Sequence, residues 1–202
     1  ATVVAAERRF TADAAHELRT PIAAIRTQAQ VALAETDAAD RAHALRATLA
    51  GCDRATRLVE QLLTLSRLEA GAEPPPTSLL DLGAVAQQVV ADAAPRALAR
   101  GQDLGLDARP GCRLQANEPL LAVLLRNLVD NALRYSPADA EVRVAVDRVA
   151  GPAGDRVRLV VEDAGPGLAD AEIARLGERF FRVLGTGQDG SGLGWSIVRR
   201  IA

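Results

Sequence analysis

Methionine and lysine are absent from the 202 residues, cysteine occurs only twice, and aromatic side chains make up 2%. Cys52 and Cys112 stand far apart without companion ligands, which excludes a disulfide framework or a zinc site and predicts two reduced structural thiols. No apolar run is long enough, or free enough of charge, to span a membrane or serve as a secretory signal. Neither sign of charge dominates: 24 basic residues, all arginine, face 26 acidic ones for a net charge of -2. The arginines are dispersed, so no nucleic acid and no anionic membrane surface is indicated as a partner. The missing initiator methionine is expected of a fragment, so that any membrane anchor would lie outside this chain. What remains, 49% apolar and 25% charged residues, is an ordinary balance for one medium domain or two small ones.

Glycine and proline are also nearly absent from residues 2 to 70, where only Gly51 and Pro21 occur. Apolar residues recur there at steps of three and four, which predicts two long helices. The break falls at "AETDAAD" (34–40), where Thr36 and Asp37 offer turn and capping side chains. Helix one carries an apolar stripe of Phe10, Ala14, Leu18, Ile22, Ile25, Ala29 and Ala32. Helix two carries Leu45, Leu49, Cys52, Thr56, Val59, Leu63 and Ser66 at strict 4-3 spacing. A hairpin of two helices leaves much of such stripes in water, so pairing with a second copy into a dimeric four-helix bundle is expected. "GAEPPPTS" (71–78) ends this domain (1–70) as a linker, because three prolines cannot continue a helix.

The remainder, 79–202, reads as a second domain. Residues 81–101 and 117–137 are amphipathic helices, the latter capped by Asn117 and stopped before Pro137. "EVRVAVDRV" and "RVRLVVEDAG" alternate apolar and charged residues across a turn-rich gap, the pattern of an antiparallel hairpin covered on one face. Helices on one face of a mixed or antiparallel sheet make an α+β domain.

Within helix one, "HELRTP" (16–21) sets His16 about 200° around the helix from Ala14, facing solvent. Glu17 can take a proton or hydrogen bond from one ring nitrogen and leave the other a neutral nucleophile. Thr20, at i+4, stands on the histidine's face, where its hydroxyl can orient a water. Pro21 removes a donor to the Glu17 carbonyl and predicts a bend beside the exposed ring.

On the helix at 117–137, Asn127, Asn131, Arg134 and Tyr135 fall within about 100° of one another, apart from the apolar stripe Leu121, Leu125, Leu128 and Ala132. Amide oxygens are hard, neutral ligands suited to Mg²⁺. In "EDAGPG" (162–167) a strand runs into Asp163, whose carboxylate can accept from an exocyclic amine, with Gly165 and Gly167 allowing close approach. "DGSGLGWSIVRRIA" (189–202) places Gly190, Gly192 and Gly194 before a helical run, so backbone N–H groups can face phosphate oxygens. Each of these alone is also a common turn or a solvated polar face.

The ordered set is more specific. "FTADAAHELRTPIAAI", "NLVDNALRYSP", "EDAGPG", "ERFFR" and "GSGLGWSIVRRI" resemble the H, N, G1, F and G2 boxes of bacterial sensor histidine kinases, over nearly the whole chain. The stretch from F to G2 looks closest to the QseC-like members that partner winged-helix response regulators. The resemblance implies a homodimeric phosphoacceptor hairpin joined to a Bergerat-type (GHKL) α/β sandwich that binds ATP and Mg²⁺. It implies autophosphorylation of His16, transfer to an aspartate of a response regulator's receiver domain, and phosphatase activity toward that regulator. Glu17 would be the acid/base neighbour and Thr20 the residue that positions water. Asn127 and Asn131 would hold the metal and phosphates, Arg134 the phosphate chain, Tyr135 the adenine surroundings and Asp163 the adenine amine. Gly165, Gly167, Phe180, Phe181, Gly190, Gly192, Leu193 and Gly194 would shape the pocket and its lid.

The chain departs from the family pattern in three ways. Arg134 stands where many members have lysine, and Trp195 replaces the more usual leucine. The family's ATP-binding domain continues beyond the equivalent of Ala202, so an open sheet edge and weakened nucleotide binding are expected of this fragment. Another GHKL-superfamily ATPase, or a catalytically weak dimeric signalling module, are the alternative readings.

Overall fold

The computed structural model describes residues 2–69, 76–151, 154–183 and 190–202, with 2–10 and 69 described as backbone alone. The side chain of Phe10 and most of the expected linker at 71–78 fall outside that description. The chain divides into two compact units, Ala1–Arg67 and Leu68–Ala202.

The first unit is a helical hairpin of α1 (Thr2–Ala34) and α2 (Ala38–Glu69). Asp37 ends the turn by accepting from Ala39 N (2.8 Å) and Asp40 N (3.0 Å), two of the N–H groups that the start of α2 leaves unpaired. Helix α1 runs through Pro21 without interruption.

The α1 stripe lies on the hairpin's own seam, with Ala32 buried and Ala14, Leu18, Ile25 and Ala29 half-buried, but the α2 stripe does not. Leu49 is 66% exposed and Ile22 56% exposed, and Leu45, Cys52, Thr56, Val59, Leu63 and Ser66 are exposed as well. The buried seam of α2 lies one residue earlier, at Ala44, Gly51, Leu58 and Leu65, with Thr48, Ala55 and Leu62 half-buried between them. Both sets follow the same 4-3 spacing, and in the first half of α2 the smaller Ala44 and Gly51 face α1 in place of Leu45 and Cys52. A β-carbon on Gly51 would lie 2.7 Å from Ile25 Cγ1, so the helices approach closely there.

In the second unit, β1 (Ser78–Asp81) pairs antiparallel with β3 (Arg113–Ala116). β2 (Asp103–Ala108), β4 (Glu141–Val149) and β5 (Arg156–Glu162) form a mixed sheet in the order β2-β4-β5, parallel then antiparallel. α3 (Leu82–Leu98) is capped by Asp81, which accepts from Gly83 N, and α4 (Glu118–Tyr135) by Asn117, which accepts from Leu120 N. Short α5 (Asp170–Ile173) and α6 (Gly194–Ile201) complete the unit.

The core lies between α3, α4 and one sheet face. Val142, Val144 and Val146 alternate inward from β4 against Val89 and Ala93 of α3 and Leu125 and Val129 of α4. Truncating Leu125, which is fully buried, to alanine is expected to cost about 2–5 kcal/mol. The opposite sheet face carries charge: Arg158 forms a two-pronged pair with Asp147 across the β4–β5 register. That hydrogen bond holds the Asp147 carboxyl below, and the Arg158 guanidinium above, their ordinary ranges. Strands β1, β2 and β3 were not legible as strands; each is short, and β2 is interrupted by Gly105. Cys112 is buried in this core, whereas Cys52 is exposed on α2, and both thiols are free.

Candidate functional site

In the hairpin, His16 and Thr20 are exposed on α1 and Glu17 is half-buried. No hydrogen bond between His16 and Glu17 is found among the described residues, so the imidazole is not held by its neighbour in this conformation. The hydroxyls of Thr27 and Thr48 are tied to the carbonyls of Ala23 and Ala44 one turn earlier. No such bond to the His16 carbonyl is present at Thr20, whose hydroxyl faces solvent.

In the second unit, α4 lies packed between α3 and α6, and its polar residues meet the glycine segment that leads into α6. Asn127 is 8% exposed, and its Nδ2 donates to Val123 O one turn back (2.8 Å), which fixes the orientation of the amide. A β-carbon on Gly194 would lie 3.1 Å from Asn127 Oδ1 and 3.6 Å from Asn131 Nδ2. A side chain here would press on the Asn127 amide and only touch that of Asn131. One on Gly190 would lie 2.6 Å from Arg134 Nη1, so the guanidinium borders the same segment. Arg134 also lines a cavity of about 350 Å³ shared with Arg96, Arg100 and Asp130 on the α3 side of α4.

Leu193 and Ile197 are fully buried, and Ser196 Oγ donates to Leu193 O (2.7 Å), which anchors the first turn of α6. Gly192, at φ +69°, sits against Phe180, itself at φ 60°. Phe181 takes the Arg175 guanidinium over its ring at 4.2 Å. Residues 184–189, between these two groups, lie outside the described residues.

At the end of β5, Asp163 Oδ1 accepts from Gly165 N (2.8 Å), which fixes the carboxylate's rotamer. A β-carbon on Gly165 would lie 2.7 Å from that oxygen and 3.3 Å from Tyr135 O, so the turn rests directly on the end of α4. Gly167, at φ +73°, continues it in a conformation that favours glycine.

Two residues in this arrangement were missed by sequence reasoning. Ser136 is buried, and its Oγ accepts from Ala164 N at 3.3 Å. Gln102 is also buried, and its Nε2 faces Leu133 O, Ser136 O and Pro137 O, each at 3.0 Å. A lone glutamine in "RGQDLG" and a serine in "YSP" carry no periodic or motif signal that marks them.

The geometry therefore brings an acceptor carboxylate, a glycine-lined helix start, two amides and a guanidinium onto one face of one unit. Such a set can hold a base with a donor amine at one end and a polyphosphate at the other. Residues 6–71 match the His Kinase A (phospho-acceptor) domain, and residues 116–202 match the histidine kinase-, DNA gyrase B-, and HSP90-like ATPase family. The chain is 44% identical over 198 residues to the sensor protein QseC of Salmonella typhi, covering 97% of this chain and 42% of that protein. It is 39% identical over 201 residues to the sensor protein kinase PmrB of Pseudomonas aeruginosa, covering 99% and 41%. The chain thus spans about two fifths of the length of these curated relatives.

Among solved structures, the histidine kinase AdeS of Acinetobacter baumannii superposes with a TM-score of 0.70 at 26% identity, over 92% of this chain and 85% of that one. Full-length ShkA in complex with AMPPNP gives 0.66 at 25% identity, over 96% and 40%. The matched hairpin that bears "HELRTP", the matched ATPase domain and these relatives together identify the chain as a member of the sensor histidine kinases.

Proposed function

We propose that this chain is the kinase part of a two-component sensor, which phosphorylates His16 from ATP·Mg²⁺ and passes the phosphoryl group to an aspartate of a response regulator. The observation that carries the reading is the approach of Gly190 to Arg134 and of Gly194 to Asn127 and Asn131, in a chain whose other unit exposes His16. Phosphoryl transfer asks mainly for positioning and charge neutralisation, and these residues supply both.

Asp163 accepts the exocyclic amine of adenine, with Tyr135, Gly165 and Gly167 around the base. Arg134 and the N–H groups at the start of α6 face the phosphates. The amide oxygens of Asn127 and Asn131, side by side at the start of α6, are of the hard, neutral kind that suits a hard cation, and these two residues would hold Mg²⁺. When bound, the ion neutralises charge on the phosphate chain. Phe180, Phe181, Gly192 and Leu193 shape the edge of the pocket.

The lone pair of a neutral ring nitrogen of His16 attacks the γ-phosphorus. The bond to the β,γ-bridging oxygen breaks, ADP leaves with that electron pair, and Glu17 takes the proton from the other ring nitrogen. The regulator's aspartate then takes the phosphoryl group from His16. Toward the phosphorylated regulator, the free Thr20 hydroxyl orients the hydrolytic water.

The exposed stripe of Ile22, Leu45, Leu49, Val59 and Leu63 supports pairing with a second copy into a four-helix bundle. No helix among the described residues is long and apolar enough to cross a membrane. On this reading the chain lies on the cytoplasmic side of a membrane, which its likeness to named sensor proteins supports.

The test is incubation with γ-labelled ATP and Mg²⁺. An acid-labile label on His16 that moves to a receiver domain supports the reading, and an acid-stable label, or label elsewhere, overturns it.

A further inference from the structure

We propose that Ser136 is a positioning residue that sets the base specificity of the nucleotide site, and that Gln102 holds it in place. The proposal rests on the reading of Asp163 as the acceptor for the adenine amine.

Ser136 ends α4 with an extended backbone (ψ 143°), and its N–H still donates to Ala132 O. Its side chain leaves the helix and accepts from Ala164 N, the peptide that follows Asp163. The Asp163 carboxylate is therefore located from two directions, by Gly165 N–H on one side and by the Ser136–Ala164 bond on the other. A short, turn-borne carboxylate has no other described anchor, so its distance from a base edge depends on these two bonds.

Gln102 fixes the helix end that carries Ser136. Its backbone N–H donates to Ala97 O and closes α3, while its side-chain amide offers two hydrogens to three carbonyls at the end of α4. The opposite amide orientation would set an oxygen against three carbonyl oxygens. Oε1 is left buried without a partner, a cost the site carries to keep Nε2 against those carbonyls. One residue, through its backbone and its side chain, thus ties both helix ends together.

A rigidly placed carboxylate rewards a base that donates and penalises one that accepts at the same edge. Hypoxanthine differs from adenine there, with a carbonyl in place of the amine. The structure thus assigns to Ser136 an effect on the ratio of adenine to hypoxanthine nucleotide affinity, beyond any effect on overall affinity.

The experiment measures dissociation constants for Mg·ADP and Mg·IDP by titration calorimetry, for the wild type, Ser136→Ala and Asp163→Asn. The wild type is expected to favour ADP. Ser136→Ala is expected to lower the ADP/IDP preference at least fivefold, through weaker ADP binding with IDP binding nearly unchanged. Ser136→Cys keeps the volume with a weak acceptor and is read the same way if Ser136→Ala loses its fold. An unchanged ratio in the Ser136 variant, with the preference abolished in Asp163→Asn, overturns the proposal, as does equal loss of both nucleotides. If Asp163→Asn itself keeps the preference, the adenine reading of that residue has failed instead.

Discussion

Gly192 and Phe180 meet backbone to backbone, and both are left-handed, at φ +69° and 60°. A β-carbon on Gly192 would lie 2.5 Å from the Phe180 carbonyl carbon, a contact that no side-chain rotation can relieve. Phe180 accepts a conformation that costs a non-glycine residue roughly 1–2 kcal/mol. Gly192→Ala is therefore expected to displace the start of α6 and weaken Mg·ADP binding by more than about tenfold. Trp195, the single tryptophan, sits in the first turn of α6 and reports the change by its fluorescence. Unaltered binding in Gly192→Ala shows that this contact does not shape the site.

His16→Gln should leave nucleotide binding at the wild-type level and remove phosphate incorporation entirely. His16 belongs to the hairpin unit, and the glycine-lined face belongs to the other. Calorimetry with Mg·ADP and labelling with γ-labelled ATP, on the same preparation, check both halves of this expectation.

Asn131→Asp introduces a fixed negative charge where phosphates are expected, beside Asn127 and Gly194. Coulomb repulsion in a partly desolvated site makes this worse than loss of the amide alone. Activity should fall by at least about 10²-fold, equivalent to about 2.7 kcal/mol, while the circular dichroism spectrum stays as in the wild type. Wild-type turnover in this variant refutes the assignment of Asn131 to the metal and phosphates.

Thr20→Ala should keep autophosphorylation within a few-fold and reduce dephosphorylation of the regulator. Its hydroxyl makes no backbone bond of the kind seen at Thr27 and Thr48, so the substitution should cost less than about 0.5 kcal/mol of stability. Both rates are measured with a purified receiver domain. Loss of autophosphorylation with dephosphorylation intact reverses the roles assigned within "HELRTP".

Arg158→Gln should raise the titration midpoint of the Asp147 carboxyl, followed by NMR. In the folded chain that carboxyl is held low, chiefly by its hydrogen bond from Arg158. The stability it contributes is therefore present above the ordinary carboxylate range and lost as pH falls through the depressed folded value. An unmoved midpoint shows that the cross-strand pair does not persist in solution.

The sequence by itself determined the elements that have a long period or a distinct cap. The hairpin helices, α4 with Asn117 as its cap, and the β4–β5 ladder all carry patterns longer than a few residues, so local regularity was enough to see them. The site residues were legible for a related reason. Asn127, Asn131 and Arg134 share a face by helical spacing alone, and glycines cluster where a backbone must come close to something.

Only the tertiary structure decided which of two equal stripes on α2 faces α1. Spacing is identical for the set beginning at Ala44 and the set beginning at Leu45, and the choice turns on how closely Gly51 lets the helices approach Ile25. Strands β1 to β3 likewise exist through their partners, since four to six residues of weak alternation gain order only from a neighbouring ladder. The joining of Gln102, Ser136 and Asp163 spans three chain segments, and a hydrogen bond between segments distant in sequence leaves no period for a reader of one segment to find.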